Sequence, residues 1–183
     1  MNHYIDIQIK PDAEMRENVL LNKVYSKLHK ALFDLNSSDI GLSFPQYEII
    51  FGKVLRLHGN EGKLSDLQVT DWLGDLKGRC NISGIEPVPN IVLYRTISRK
   101  QSNMTEAKLR RLIKRGSISD SELKAYKAKM FTKGLDNPYL ELESNSNGHK
   151  HRRYIQFGAL SSESVEGLFD QFGLSKAATI PWF

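Results

Sequence analysis

Cysteine is nearly missing from this chain: Cys80 is the single one among 183 residues, so neither an internal disulfide nor a Cys-x-x-Cys zinc or redox pair can form. Its expected role is to fill core. No apolar run approaches the roughly 20 residues that a membrane-spanning helix needs. The opening segment, Met1 to Lys10, carries Asp6 and alternates polar with apolar residues, unlike a secretion signal or an Arg-rich transit segment. These absences lead us to expect a cytoplasmic protein with no membrane partner. Internal repeats and low-complexity tracts are lacking as well. Acids are in deficit, 21 Asp and Glu against 26 Lys and Arg, and the net charge of +5 favours a polyanionic partner if the cations are clustered.

What is present is a mixture of two periodicities. His3 to Ile9 alternates with period two and puts Ile5, Ile7 and Ile9 on one face of a strand. From Arg16 to Leu35 the period becomes helical through Leu20, Val24, Leu28, Ala31, Leu32 and Leu35. Ile40 to Phe44 and Val54 to His58 read as two strands, Leu64 to Leu76 as a second helix, and Asn81 to Val88 as a weaker strand. This order predicts an α+β fold whose first part, residues 1–90, is a ferredoxin-like βαββαβ domain. Such a fold decides no function by itself. Pro89 marks the expected boundary, and residues 91–183 form the second expected domain. There Ile91 to Ile97 reads as a strand, Thr105 to Arg115 and Ser119 to Phe131 as helices, and Tyr139 to Ser144 and Arg153 to Phe157 as strands around a polar turn.

The helix from Thr105 to Arg115 carries the cluster that the net charge asked for. Steps of about 100° per residue place Leu109, Leu112 and Ile113 on one side and Lys108, Arg110, Arg111, Lys114 and Arg115 on the other. Past Glu106 in its first turn the helix has no acid to pair these cations, unlike an ordinary solvated helix that mixes signs. Arg95, Arg99 and Lys100 extend the patch, and Gln101 adds an amide suited to base edges. Such a patch fits nucleic acid held through its phosphates.

His29 stands one residue past the buried stripe of the first helix, a turn beyond Tyr25. A histidine there is commonly structural, yet an imidazole is also the natural general base for a hydroxyl nucleophile near neutral pH. RNA supplies its own nucleophile, the 2′-hydroxyl, so a positioned base can suffice without metal. Ser144 and Ser146 share one strand face beside a turn containing Gly148. His149 and His151 also share a face, but the side chains around them are Lys and Arg, so no metal site is expected.

The order and spacing of several segments resemble a known family over the whole chain. These are His3-Tyr4-Ile5-Asp6-Ile7, Lys27-Leu28-His29, Ile40-Gly41-Leu42-Ser43-Phe44-Pro45, Tyr94-Arg95, Ser98-Arg99 with Gln101, and the basic helix. Ser144-Asn145-Ser146-Asn147-Gly148, Gly173-Leu174-Ser175-Lys176 and Pro181-Trp182-Phe183 complete the set. The chain resembles the repeat-processing endoribonucleases of type I-F CRISPR systems. The resemblance implies a ferredoxin-like domain followed by a domain that grips the stem-loop of CRISPR precursor RNA. It implies Arg110, Arg111, Lys114 and Arg115 along the phosphates, and Arg99 and Gln101 reading base pairs low in the stem. It further implies His29 as general base, Ser144 holding the ribose, no cofactor, and a 2′,3′-cyclic phosphate product. The mature crRNA would stay bound, within a surveillance complex of further type I-F subunits. Two positions depart from the family pattern: Phe172 stands where a tyrosine orients the histidine, and His151 where a phenylalanine stacks under the stem. Phe172 leaves open an alternative, a subunit that holds the hairpin and cuts weakly or not at all. A ferredoxin-like protein whose basic helix meets an acidic protein surface is the other alternative.

Overall fold

The computed structural model describes residues 1–101, 106–132, 137–143 and 148–183, the side chains of 129–132 excepted. In β1 (His3–Ile9) alternation buries Ile5, Ile7 and Ile9 as expected. Helix α1 (Glu17–Asp34) lays Leu20, Val24, Tyr25, Leu28 and Leu32 into the same core, and Asn36, at φ 48°, takes the left-handed turn that leads the chain away. Strands β2 (Gly41–Ser43), β3 (Val54–Gly59) and β4 (Cys80–Ile82) join β1 in the antiparallel order β2-β3-β1-β4. Strand β5 (Glu86–Pro87) pairs with the start of β1. This is the ferredoxin-like order, and Cys80 is core filler within it.

Three elements differ from the periodicity, the first being the weaker strand expected from Asn81 to Val88, which is broken into β4 and β5. The second helix stops early: α2 spans Glu61–Val69, capped by the Asn60 side chain, which accepts from the Lys63 amide. Asp71 and Gly74, at φ 45° and 50°, break the helix, so Trp72 and Leu73 reach the core from a turn and Leu76 from a 3-10 stretch, Gly74–Arg79. Apolar spacing alone could not reveal that interruption. Likewise the strand expected from Ile91 to Ile97 is two strands, because its halves have different partners. Strand β6 (Leu93–Arg95) pairs with β10 (Ile180–Trp182), and β7 (Ile97–Lys100) pairs with β9 (Lys150–Phe157), which pairs in turn with β8 (Tyr139–Glu143). Between β7 and β8 lie α3 (Glu106–Lys114) and α4 (Asp120–Thr132). Thr105, expected to begin the basic helix, lies outside the described residues.

All six residues of β3 are buried because the sheet is covered on both faces. The helices cover one face, and the C-terminal segment crosses the other. A Cβ on Gly41 would come within 2.7 Å of the Ile180 and Phe169 side chains, so glycine is what lets this segment lie flat on β2. Beneath it Arg56 grips Asp6 through two hydrogen bonds of 2.7 and 2.9 Å and lies 4.5 and 4.1 Å from the ring centres of Tyr4 and Phe183. His58 is fully buried beside the Ser43 hydroxyl at 2.8 Å, and burial pushes its pKa down to about 3. One hydrophobic core joins Ile97, Leu140, Leu142, Ile155, Leu174 and Ile180 to the first sheet and α1. Among the described residues no helix is long and apolar enough to cross a membrane.

Candidate functional site

The site grows out of α1. Tyr25 and His29 are four residues apart and therefore share one side of the helix. Tyr25 donates its hydroxyl to the Phe172 carbonyl at 3.3 Å, and His29 donates Nδ1–H to the Gln171 carbonyl at 2.8 Å. A carbonyl only accepts, so Nδ1 carries a proton, and in the neutral imidazole the lone pair is on Nε2. Burial raises the Tyr25 phenol above its ordinary range, which keeps the hydroxyl a donor. One turn of helix thus holds two successive carbonyls of the facing loop.

That loop is itself held from several directions. The Phe169 amide donates to the Ser38 carbonyl at 2.9 Å and the Leu42 amide to the Gly173 carbonyl at 3.0 Å. Asp170 Oδ1 accepts from the amides of Phe172 and Leu174, both at 2.9 Å. Gly173, at φ +69°, makes the sharp turn, where a Cβ would meet Leu42 at 3.1 Å. Ser175 then ties the loop to β7, its amide 2.8 Å from the Ile97 carbonyl. The Gln171 carbonyl is therefore a preorganised acceptor for the histidine.

Phe172 supplies the second constraint. Its ring stacks on the His29 imidazole with centres 3.5 Å apart and planes 14° apart. The Arg153 guanidinium carbon lies 3.4 Å from the same ring centre. Both groups cannot occupy one face, so the ring is sandwiched between imidazole and guanidinium. The imidazole is thus held in two ways, by a backbone acceptor for Nδ1 and by a stacked plane that limits ring rotation.

Arg153 was not among the residues anticipated from the sequence. It pairs with Leu140 on β8 and shares the inward face of β9 with Ile155, so it is only 5% exposed. A charged residue at a core position of an alternating strand was the available signal. Burial pulls its guanidinium below the ordinary value, Tyr25 and Asp170 opposing the shift and Arg99 adding to it. Arg153 and Arg99 line a cleft of about 510 Å³ with Asn36, Ser37, Phe169 and Asp170.

The anticipated residues divide into two groups. His29, Phe172 and Arg99 are brought together, Arg99 through the cleft wall that it shares with Phe172. Gln101 follows β7 and is exposed, as is His151 on β9. On α3 Lys108, Arg110, Arg111 and Lys114 are all exposed, as is Arg115 just past its end, while Leu109 is buried, Leu112 half-buried and Ile113 half-exposed. The apolar face of this helix is thus narrower than its periodicity suggested. Arg110 is also less available than expected, because Glu106, one turn earlier, pairs with it at 2.9 Å. Arg95 leaves the basic patch altogether. It donates to the Gly158 carbonyl at 2.7 and 3.0 Å and lies 4.6 Å from the Trp182 ring, a structural role. Ser144 and Ser146 lie outside the described residues.

Comparison with known proteins agrees over the full length. The family model described as CRISPR-associated protein (Cas_Csy4) matches residues 4–183. Among relatives, the CRISPR-associated endonuclease Cas6/Csy4 of Escherichia coli (strain UTI89 / UPEC) is 35% identical over 184 residues, covering 100% of both chains. The protein of the same name from Pseudomonas aeruginosa (strain UCBPP-PA14) is 34% identical over 187 residues, again covering 100% of both. Among solved structures, a CRISPR endoribonuclease Cse3 bound to 19 nt RNA aligns over 99% of this chain and 100% of its own, with a TM-score of 0.38 and 11% identity. That distance is too great to bear on the site. On the full-length match and the two relatives, this chain belongs to the Cas_Csy4 family.

Proposed function

We propose that this protein is an endoribonuclease that binds the stem-loop of CRISPR repeat RNA and cuts 3′ of the stem without a metal. The observation that carries this reading is the His29 Nδ1–H bond to the Gln171 carbonyl, which leaves Nε2 as a proton acceptor. Nε2 takes the proton of the upstream nucleotide's 2′-hydroxyl as its oxygen attacks phosphorus. The bond from phosphorus to the 5′-oxygen breaks, that oxygen leaves with the bonding electrons and takes up a proton, and a 2′,3′-cyclic phosphate remains. Ser144 would hold the attacking ribose in line.

In this reading residues 1–90 carry the general base and 91–183 grip the RNA. Lys108, Arg110, Arg111, Lys114 and Arg115 run along the phosphates, Arg99 and Gln101 face the base of the stem, and Ser146 and His151 border the cut. The edge of Phe172, whose faces are covered, closes the site from below. The product stays bound and joins other type I-F subunits in the cytoplasm.

The test is cleavage of a stem-loop repeat RNA in EDTA, with and without a 2′-deoxy sugar upstream of the cut, by wild type and His29→Ala. Only the all-ribose RNA should be cut, to a cyclic-phosphate end, and His29→Ala should lose cleavage while keeping affinity within a few fold. Equal losses of rate and affinity would make His29 structural. Tight binding with no cutting by wild type would favour the holding subunit.

A further inference from the structure

Arg153 is a buried cation that pairs with no carboxylate among the described residues. Its Nε is buried without a hydrogen-bond partner, and the π face of Phe172 is its contact on one side. Removing a guanidinium from water without an anion is unfavourable, and proteins rarely bury one unless a partner compensates. The carboxylate that shares its cleft, Asp170, has Oδ1 accepting from two loop amides, so it serves the loop first. A second guanidinium, Arg99, lines the same cleft, together with the polar turn Asn36 to Ser38. Two cations line a cleft of about 510 Å³ whose one carboxylate, Asp170, spends Oδ1 on loop amides, an arrangement suited to an anion.

We infer that this cleft seats one backbone phosphate of the bound RNA adjacent to the scissile one, with Arg153 as its fixed cation and Arg99 at its mouth. The inference rests on the reading that the chain binds stem-loop RNA. It adds a contact that lies off the basic helix and one aromatic ring away from His29. The forked donor set of arginine suits a phosphodiester, and the stack on Phe172 fixes the fork before the ligand arrives. Seating the neighbouring phosphate here would hold the strand against the histidine.

The experiment pairs protein and RNA changes. Affinity of wild type and Arg153→Met is measured across salt for uncleavable 2′-deoxy stem-loop RNAs, each carrying one neutral methylphosphonate at a position flanking the cut. On unmodified RNA, Arg153→Met should bind about tenfold more weakly, with a salt slope lower by roughly one phosphate. With the methylphosphonate at the seated position, both proteins should bind alike. An equal loss on every RNA overturns the seat, and so does unchanged affinity on every RNA; slower cutting of the all-ribose RNA in a separate assay would then show that Arg153 acts only through Phe172. Should Arg153→Met unfold, Arg153→Lys is read in the same scan; a smaller loss that vanishes at one position supports the seat, and a uniform loss overturns it. If wild type itself shows no salt-dependent RNA affinity, the RNA-binding reading fails first.

Discussion

Replacing Phe172 by Leu separates stacking from hydrogen bonding in the site. Leucine keeps an apolar body against α1 but removes the flat ring that lies 3.5 Å from His29 and 3.4 Å from Arg153. The Nδ1 bond to the Gln171 carbonyl survives, since it uses main chain, yet the imidazole gains freedom to turn about that bond. An aromatic pair of this kind contributes about 0.5–1.5 kcal/mol beyond its buried area. If that energy restrains the productive ring orientation, its loss slows cleavage by about 2- to 12-fold, tenfold corresponding to about 1.4 kcal/mol. The assay is single-turnover cleavage with protein in saturating excess, alongside affinity for 2′-deoxy RNA and thermal unfolding. The expected result is a slower rate, affinity within about threefold, and a modest loss of stability from the broken cation–π contact. A rate within twofold of wild type in a folded protein refutes the idea that stacking orients His29. A loss as deep as that of His29→Ala refutes the idea that the Gln171 carbonyl can still hold the ring once the stack is gone.

The converse change, Phe172→Tyr, should alter the single-turnover rate by less than about threefold, because Nδ1 already has a carbonyl acceptor and a new hydroxyl adds no needed bond. A much larger acceleration would show that the carbonyl is a poor substitute. Exchanging Arg111 and Arg115 together for Gln should weaken binding and lower the salt slope by about two phosphates, measured as affinity against salt concentration; an unchanged slope would remove α3 from the RNA. His58 predicts an acid sensitivity. Its pKa is about 3 folded, held down by burial and then by Arg56, against an ordinary 6.5. Between those values the unfolded chain binds a proton that the native chain does not. This contribution to stability is therefore complete above about pH 6.5 and falls as pH drops toward 3, by up to about 1.4 kcal/mol per unit. Denaturant unfolding of wild type and His58→Gln should converge on acidification; parallel losses in both would place the sensitivity elsewhere.

The elements that carry the candidate residues were legible because their signals are local. His29 stands beside a helical stripe, the cations of α3 stand opposite Leu109, and the alternation of Ile5, Ile7 and Ile9 builds the first sheet. What failed in the reading was whatever depends on partners distant in sequence. Arg95 looked like part of a basic patch until Gly158 and Trp182 engaged it. The helix expected to Leu76 ended at Val69, where positive φ values at Asp71 and Gly74 turn the chain.

By itself, then, the sequence determined the α+β class, the ferredoxin-like order of elements, the basic helix and the candidate base, because periodicity and charge are properties of neighbours along the chain. Only the tertiary structure decided what holds that base. The acceptor for His29 Nδ1 is a main-chain carbonyl 142 residues away, which no side-chain pattern encodes. The Phe172 ring with Arg153 behind it comes together only when β9 and the loop before β10 close over α1. A backbone oxygen has no letter in the sequence, and a cation at an inward strand position acquires its meaning from the ring and the cleft that the fold sets against it.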